Sequence, residues 1–167
     1  DIKSLFSKLN EIHLEFRPNH QVLELYLNGK NINKEIRELR VSNNVSIVAK
    51  QPEIRDFLLD FQRNLATKGG VIMDGRDIGT VILPNADFKF FVTASPEERA
   101  RRRHLELQNA GTEASYEEVF QNLITRDKID SERDVAPLKQ ADDAILIDNT
   151  FLNKEETIAL ILSYIEK

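Results

Sequence analysis

The sequence predicts an α/β fold: a parallel sheet with helices on both faces, joined to a small antiparallel β insert. Three short apolar runs, Val71–Met73, Phe88–Val92 and Ala144–Ile147, alternate with helical periodicity in the second half of the chain. Such alternation is the pattern of a parallel sheet covered by helices. The first half carries a partly alternating apolar stretch around an Asn-Gly pair, which points to antiparallel strands. No internal repeat or low-complexity segment interrupts this order.

From residue 13 to 33 the expectation is strand. Leu14 and Phe16, then Val22, Leu23, Leu25 and Leu27, are apolar, and Asn28-Gly29 is a two-residue hairpin turn leading to Lys30-Asn31-Ile32. A helix is expected over Lys34–Ala49, with Ile36, Leu39, Val45 and Val48 inward. Pro52 suits the first turn of a second helix, whose Ile54, Phe57, Leu58, Phe61 and Leu65 follow a 3.6-residue period up to Gly69-Gly70. Val71-Ile72-Met73 reads as a buried strand ending at Asp74, and Phe88–Val92 as the next. Ser95-Pro96-Glu97-Glu98 opens a helix, with serine as cap, proline in the first position and acids in the first turn, that runs to Asn109. Ser115–Arg133 is helical with Val119, Phe120, Leu123 and Ile124 inward, Ala144–Ile147 is the third strand, and Lys154–Glu166 is a terminal amphipathic helix.

The 167 residues suffice for a substantial core, and 41% hydrophobic with 31% charged residues is ordinary for a globular protein. There is no apolar run of about 18 residues, so no membrane span is expected. Cysteine is absent, which excludes disulfides and thiolate metal sites, and His13, His20 and His104 lack ligand spacing. A cytoplasmic location fits this composition. A net charge of −5 argues against a nucleic-acid partner, which would require a broad cationic face, and the absence of tryptophan with only three tyrosines argues against base stacking. Arginines nevertheless cluster at Arg99, Arg101, Arg102 and Arg103, then at Arg126 and Arg133. Concentrated guanidinium on an acidic background suits a small anion. A solvated helix face paired with Glu97, Glu98 and Glu106 explains the first cluster equally well.

Ligands of parallel α/β sheets bind beyond the carboxyl ends of the strands, so Asp74–Thr80 (DGRDIGT) is where chemistry is expected. Arg76 can grip phosphate oxygens in a bidentate fork. Asp77, an acceptor when ionised, can take a hydrogen bond from an exocyclic amine such as that of cytosine. Asp74 can hold water on a magnesium ion. The same residues also make a plain salt-bridged turn. Further on, Arg126, Asp130 and Arg133 share a helix face at i, i+4 and i+7. They suit a phosphate and a sugar hydroxyl, or a surface ion-pair ladder in which each pair contributes about 0.3–0.5 kcal/mol.

Together these pieces resemble bacterial cytidylate kinases. The resemblance rests on EIR at Glu35–Arg37, the helix pair carrying Ser46 and Arg55, DGRDIGTVILP at Asp74–Pro84, ASPEERARRR at Ala94–Arg103, Arg126–Arg133 followed by VAPL at Val135–Leu138, and ILID at Ile145–Asp148, and it spans nearly the whole chain. It implies a P-loop kinase-like core that transfers a phosphoryl group from ATP, with Mg2+, to CMP or dCMP. By position, Ser46, Arg55 and Asp77 would read the cytosine edge and Arg76 would grip phosphate. Arg126 and Asp130 would contact the ribose and phosphate of the acceptor, with Arg133 on phosphate. Arg102 and Arg103 would face the donor from a lid at about 98–116. Catalysis would fall to Arg102, Arg126 and Arg133, and metal binding to Asp74. Residues 1–42 would belong to the monophosphate-binding insert and 43–167 to the core.

One departure matters. The family's phosphate loop, GxxxxGK[ST], is not found among these residues; the only Gly-Lys, Gly29-Lys30, sits in the hairpin. The sequence therefore reads as a fragment that begins within the insert and lacks the first strand and P-loop. Three expectations follow: little or no kinase activity by this chain alone, exposed sheet edges, and self-association of the fragment although the parent enzyme is monomeric. The alternative is a non-catalytic CMP-binding or assembly module without a donor site.

Overall fold

The hairpin turn forms where the sequence puts it: Asn28 and Gly29 take positive φ of 48° and 80°, the mirror-image turn that matches strand twist and favours Asn-Gly. The computed structural model describes residues 2–20 and 22–166; Gln21, inside the expected strand region, lies outside them, as do Asp1 and Lys167 at the outer bounds of the two expected domains. The chain divides into two compact units, Asp1–Lys68 and Gly69–Lys167.

The first unit opens with a short helix α1 (Ile2–Ser7), followed by a three-stranded antiparallel sheet of β1 (Leu14–Asn19), β2 (Val22–Leu27) and β3 (Lys30–Asn31). Leu14 pairs with Leu27 and Phe16 with Leu25, so the apolar alternation read from sequence sets the register. The expected helix over Lys34–Ala49 is divided. Glu35–Arg37 makes a tight 3-10 turn, Glu38 is extended with ψ 146°, and α2 spans Leu39–Ala49. The 3-10 turn is drawn toward β3 by an ion pair between Lys30 and Glu35 at 2.8 Å, and Glu38 then re-aims the chain as the N-cap of α2. The next helix, α3, spans Pro52–Ala66 with its proline in the first turn. Its buried residue is Ile54, and Phe61 stacks on Phe16 of β1 with ring centroids 6.1 Å apart, which seats the helix on the sheet.

In the second unit the expected strand Val71–Met73 does not form. The segment is irregular, and Val71 and Ile72 are exposed. A strand exists by pairing, and no strand among the described residues lies beside this run, so its apolar composition alone does not order it. The parallel sheet consists of β4 (Phe90–Thr93) and β5 (Ile145–Asp148), with Phe90 opposite Ile145 and Thr93 opposite Asp148. Between them run α4 (Pro96–Asn109) and α5 (Tyr116–Glu132), and after them α6 (Lys154–Ile165). Ile147, 1% exposed, is buried, as are Ile82, Ala100, Leu107 and Val119. Tyr164 of α6 meets the Phe90 ring at 6.3 Å.

The helix starts are local chemistry made visible. The Ser95 hydroxyl accepts from the Glu98 amide, and reciprocal capping boxes form at Ser115/Glu118 and Asn153/Glu156. Among the described residues no helix is long and apolar enough to cross a membrane.

Candidate functional site

Directly after Arg76 the chain makes a single π-type turn, Ile78–Ile82. The Asp77 carbonyl accepts from Val81 at 2.9 Å and Ile82 at 3.3 Å, and the Ile78 carbonyl accepts from Leu83 at 2.7 Å. A widened turn of this kind is uncommon and is frequent at functional sites. Gly75 is needed for its close approach: a Cβ there would lie 2.9 Å from Ile78 Cγ1. The turn leaves Asp77 buried while Arg76 points toward α5.

There the expected helix face and the DGRDIGT segment come together. Arg76 Nε donates to Asp130 Oδ2 at 3.2 Å. Arg133 forms ion pairs with Asp130 at 3.7 Å and with Asp77 at 3.6 Å. Asp130 is 3% exposed, and Asp77 and Arg133 are each 8% exposed. Arg133 is not a third helical rung. The helix ends at Glu132, and Arg133 is its extended C-cap, with ψ 143°. Its reach is set by the following VAPL segment, which folds back so that Ala136 O accepts from Arg133 Nε at 2.8 Å and Leu138 N donates to Asp130 O at 2.7 Å. Ala136 takes a left-handed φ of 50°, a strained setting for a residue with a Cβ.

Arg126 completes the cluster, half-buried on α5. Burial first, and then the neighbouring charge of Arg76, lower its pKa from the ordinary arginine value; Asp130 and Asp127 act the other way, and Arg103 adds to the crowding. An arginine stays charged even so. Arg76, Arg126 and Arg133 therefore face the carboxylates of Asp77 and Asp130 with positive charge in excess. An anion placed here relieves that excess and accepts the guanidinium hydrogen bonds.

The arginine run on α4 is resolved into pairs. Arg101 and Arg102 both bond Glu98, each with a nearest contact of 2.7 Å, and hold its carboxyl down from 4.5 to about 2. Arg103 meets Glu106 at 2.7 Å. Arg102 also reaches beyond the end of β5, donating to Asn149 Oδ1 at 3.0 Å, Asn149 O at 2.7 Å and Leu152 O at 3.2 Å. Arg99 grips both oxygens of Asp127 on α5 at 2.5 and 3.1 Å. Neither the Asp127 partner of Arg99 nor the Ala136 carbonyl on Arg133 stood out in the sequence. No helical period links positions 28 residues apart, and a backbone acceptor has no residue signature.

Ser46 and Arg55 lie in the other unit, at the corner between α2 and α3. Arg55 donates to Ala49 O at 3.2 Å, and Ala49 is one turn on from Ser46. Ser46 is 4% exposed and its hydroxyl has no hydrogen-bond partner among the described residues. A buried unsatisfied hydroxyl at a helix corner is an available recognition group. Asp74 is exposed at the end of the irregular segment. Among the described residues no group of three or more His, Asp or Glu side chains is arranged to hold a metal ion. A lone carboxylate fits magnesium only as one contact among waters and substrate phosphates, which is that ion's usual manner of binding.

The family model described as cytidylate kinase matches residues 1–167. The chain is 49% identical over 165 residues to a protein named cytidylate kinase from Flavobacterium johnsoniae, covering 98% of this chain and 72% of that relative. It is 47% identical over 167 residues to one from an Exiguobacterium species, covering 100% and 75%. A Bacillus cereus relative of the same name is 45% identical over 163 residues, covering 98% and 72%.

Proposed function

The chain belongs to the cytidylate kinase family of phosphotransferases, and on that premise we propose that it carries the acceptor-nucleotide half of a nucleoside monophosphate kinase site, for ATP-dependent phosphoryl transfer to CMP or dCMP giving CDP or dCDP. The observation that carries this reading is the buried cluster of Asp77, Asp130 and Arg133 with Arg76 and Arg126 beside it. Its excess of guanidinium charge over carboxylate matches a bound monophosphate.

In this reading Asp77 accepts from the cytosine amine, and the hydroxyl of Ser46 and the guanidinium of Arg55 complete recognition of the base. Arg76, Arg126 and Arg133 hold the acceptor phosphate, and Asp130 meets the ribose while keeping Arg76 and Arg133 in place. The reaction needs no covalent protein nucleophile. An acceptor phosphate oxygen attacks the terminal phosphorus of the donor, and the bond to the leaving diphosphate breaks. What the chain contributes is alignment and cations around the transferring group. Arg102 and Arg103, on a lid spanning about 98–116, serve the donor phosphates. Asp74 is the carboxylate that would hold magnesium through water, and the ion would supply neutralisation of phosphate charge there. Residues 1–42 act as the monophosphate-binding insert and 43–167 as the core.

The deciding experiment is calorimetric titration of the chain with CMP. Binding that weakens roughly 10–100-fold in Asp77→Asn and in Arg55→Ala, the range expected for one lost charge-assisted hydrogen bond, supports the reading. Binding indifferent to both substitutions overturns it.

A further inference from the structure

We infer that Arg99 is a positioning residue for the acceptor site, acting through Asp127 to set the rotation of α5; this rests on the function proposed above. Arg99 sits in the first turn of α4, directly after β4, and that turn is anchored to the sheet end. Ser95 caps the helix, and Ser95 N donates to Thr150 Oγ1, just past β5, at 2.9 Å. From this anchored turn Arg99 makes two hydrogen bonds to one carboxylate, 2.5 Å to Oδ2 and 3.1 Å to Oδ1 of Asp127. A two-point guanidinium–carboxylate fork fixes angle as well as distance.

Asp127 adjoins Arg126 and precedes Asp130 by three residues on the same helix. Successive residues of a helix are fixed at about 100° from one another around its axis. Any rotation of α5 that frees Asp127 therefore swings Arg126 and Asp130 by the same angle. Those two residues meet the DGRDIGT segment through charge: Arg76 bonds Asp130, and the charge of Arg76 bears on Arg126. Such contacts are the ones a bound phosphate rearranges. The Arg99–Asp127 fork reaches α5 from α4 and gives the helix an angular reference to the parallel sheet that does not depend on ligand. Arg99 thus belongs to a different role from Arg102 and Arg103 despite standing in the same basic run.

The test compares CMP with cytidine as probes, by calorimetry or by NMR-detected titration where binding is weak, on the unaltered chain, Arg99→Met, Arg99→Lys and Arg101→Met. Arg99→Met is expected to lose about tenfold in CMP affinity, the scale on which small misplacements act, and a smaller factor in cytidine affinity, because α5 carries the phosphate contact of Arg126 as well as the ribose contact of Asp130 and cytidine meets only the latter. Arg99→Lys keeps the charge but not the fork, and is expected to lose about threefold, a part of the same effect. Arg101→Met, whose partner is Glu98, is expected to change neither. Equal loss of CMP and cytidine in the Arg99 variants, or unchanged CMP affinity, overturns the inference while leaving the acceptor site standing. Failure of the unaltered chain to bind CMP overturns the site and this inference with it.

Discussion

Arg76 and Asp130, 54 residues apart in sequence, meet at 3.2 Å, and through that contact the DGRDIGT segment and the end of α5 become one structure. Asp130 also faces Arg133 at 3.7 Å, so one buried carboxylate answers two guanidiniums. Removing its charge leaves Arg76 without the carboxylate it bonds and Arg133 with Asp77 alone. Asp130→Asn is expected to destabilise the chain by about 3 kcal/mol, read as a lowered urea midpoint with an unchanged slope. A loss below about 0.5 kcal/mol, the range of ordinary surface substitutions, would mean that the pair does not hold the segments together.

Arg126 behaves oppositely. Burial and the charge of Arg76 disfavour its guanidinium. Arg126→Met is therefore expected to leave stability unchanged or raise it by up to about 1 kcal/mol, while CMP affinity falls roughly 10–100-fold, because residues kept for binding are often not those that stabilise a fold. Chemical denaturation alongside CMP titration checks both. A marked loss of stability would assign Arg126 to the fold.

Ser46 makes a similar separation in the first unit. Its buried hydroxyl has no partner among the described residues, so Ser46→Ala removes an unmet polar group. Stability is expected to stay level or rise by up to about 1 kcal/mol. CMP and cytidine are both expected to bind about tenfold more weakly, since the lost contact is to the base. Retained cytidine binding would remove Ser46 from base recognition.

Glu98 supplies a pH signature. The hydrogen bonds from Arg101 and then Arg102 hold its carboxyl down from 4.5 to about 2. A depressed carboxyl contributes stability that is fully present above its unfolded value and is lost as pH falls through its folded value. The contribution of this pairing is thus intact above about pH 4.5 and fades toward pH 2. A carbon-detected NMR titration should show the Glu98 carboxyl midpoint near 2, moving back toward 4.5 when Arg101 and Arg102 are both replaced by methionine. High salt should shrink the difference, since Glu98 and Arg101 are not fully buried.

Much of the architecture was legible because it is local. Asn28-Gly29 dictates its own turn and Ser95-Pro96 its own helix start; the apolar periods of α3 and α5 mark the helices, but their buried apolar residues are Ile54 and Val119, and Leu65 and Ile124, expected inward, are exposed. Val71–Met73 was misread because an apolar run becomes a strand only when a neighbour supplies the other half of the ladder. The break at Glu38 was missed because loose apolar spacing does not distinguish one helix from a 3-10 turn followed by another. The candidate site divides the same way: Arg126, Asp130 and Arg133 could be grouped by helical period, but that Arg133 serves the group from beyond the helix end could not.

The sequence by itself determined the α/β class, the family pattern and the identities of the charged residues, since these depend on residue type and short spacing. Tertiary structure alone decided which charges meet. Asp130 lies between Arg76 and Arg133, Arg99 belongs to Asp127, and Arg102 is held by Glu98 and the loop after β5. The reason is physical. A hydrogen bond or ion pair acts over a few ångströms of space, and folding brings positions 28 or 54 residues apart to that distance by routes that no local pattern records.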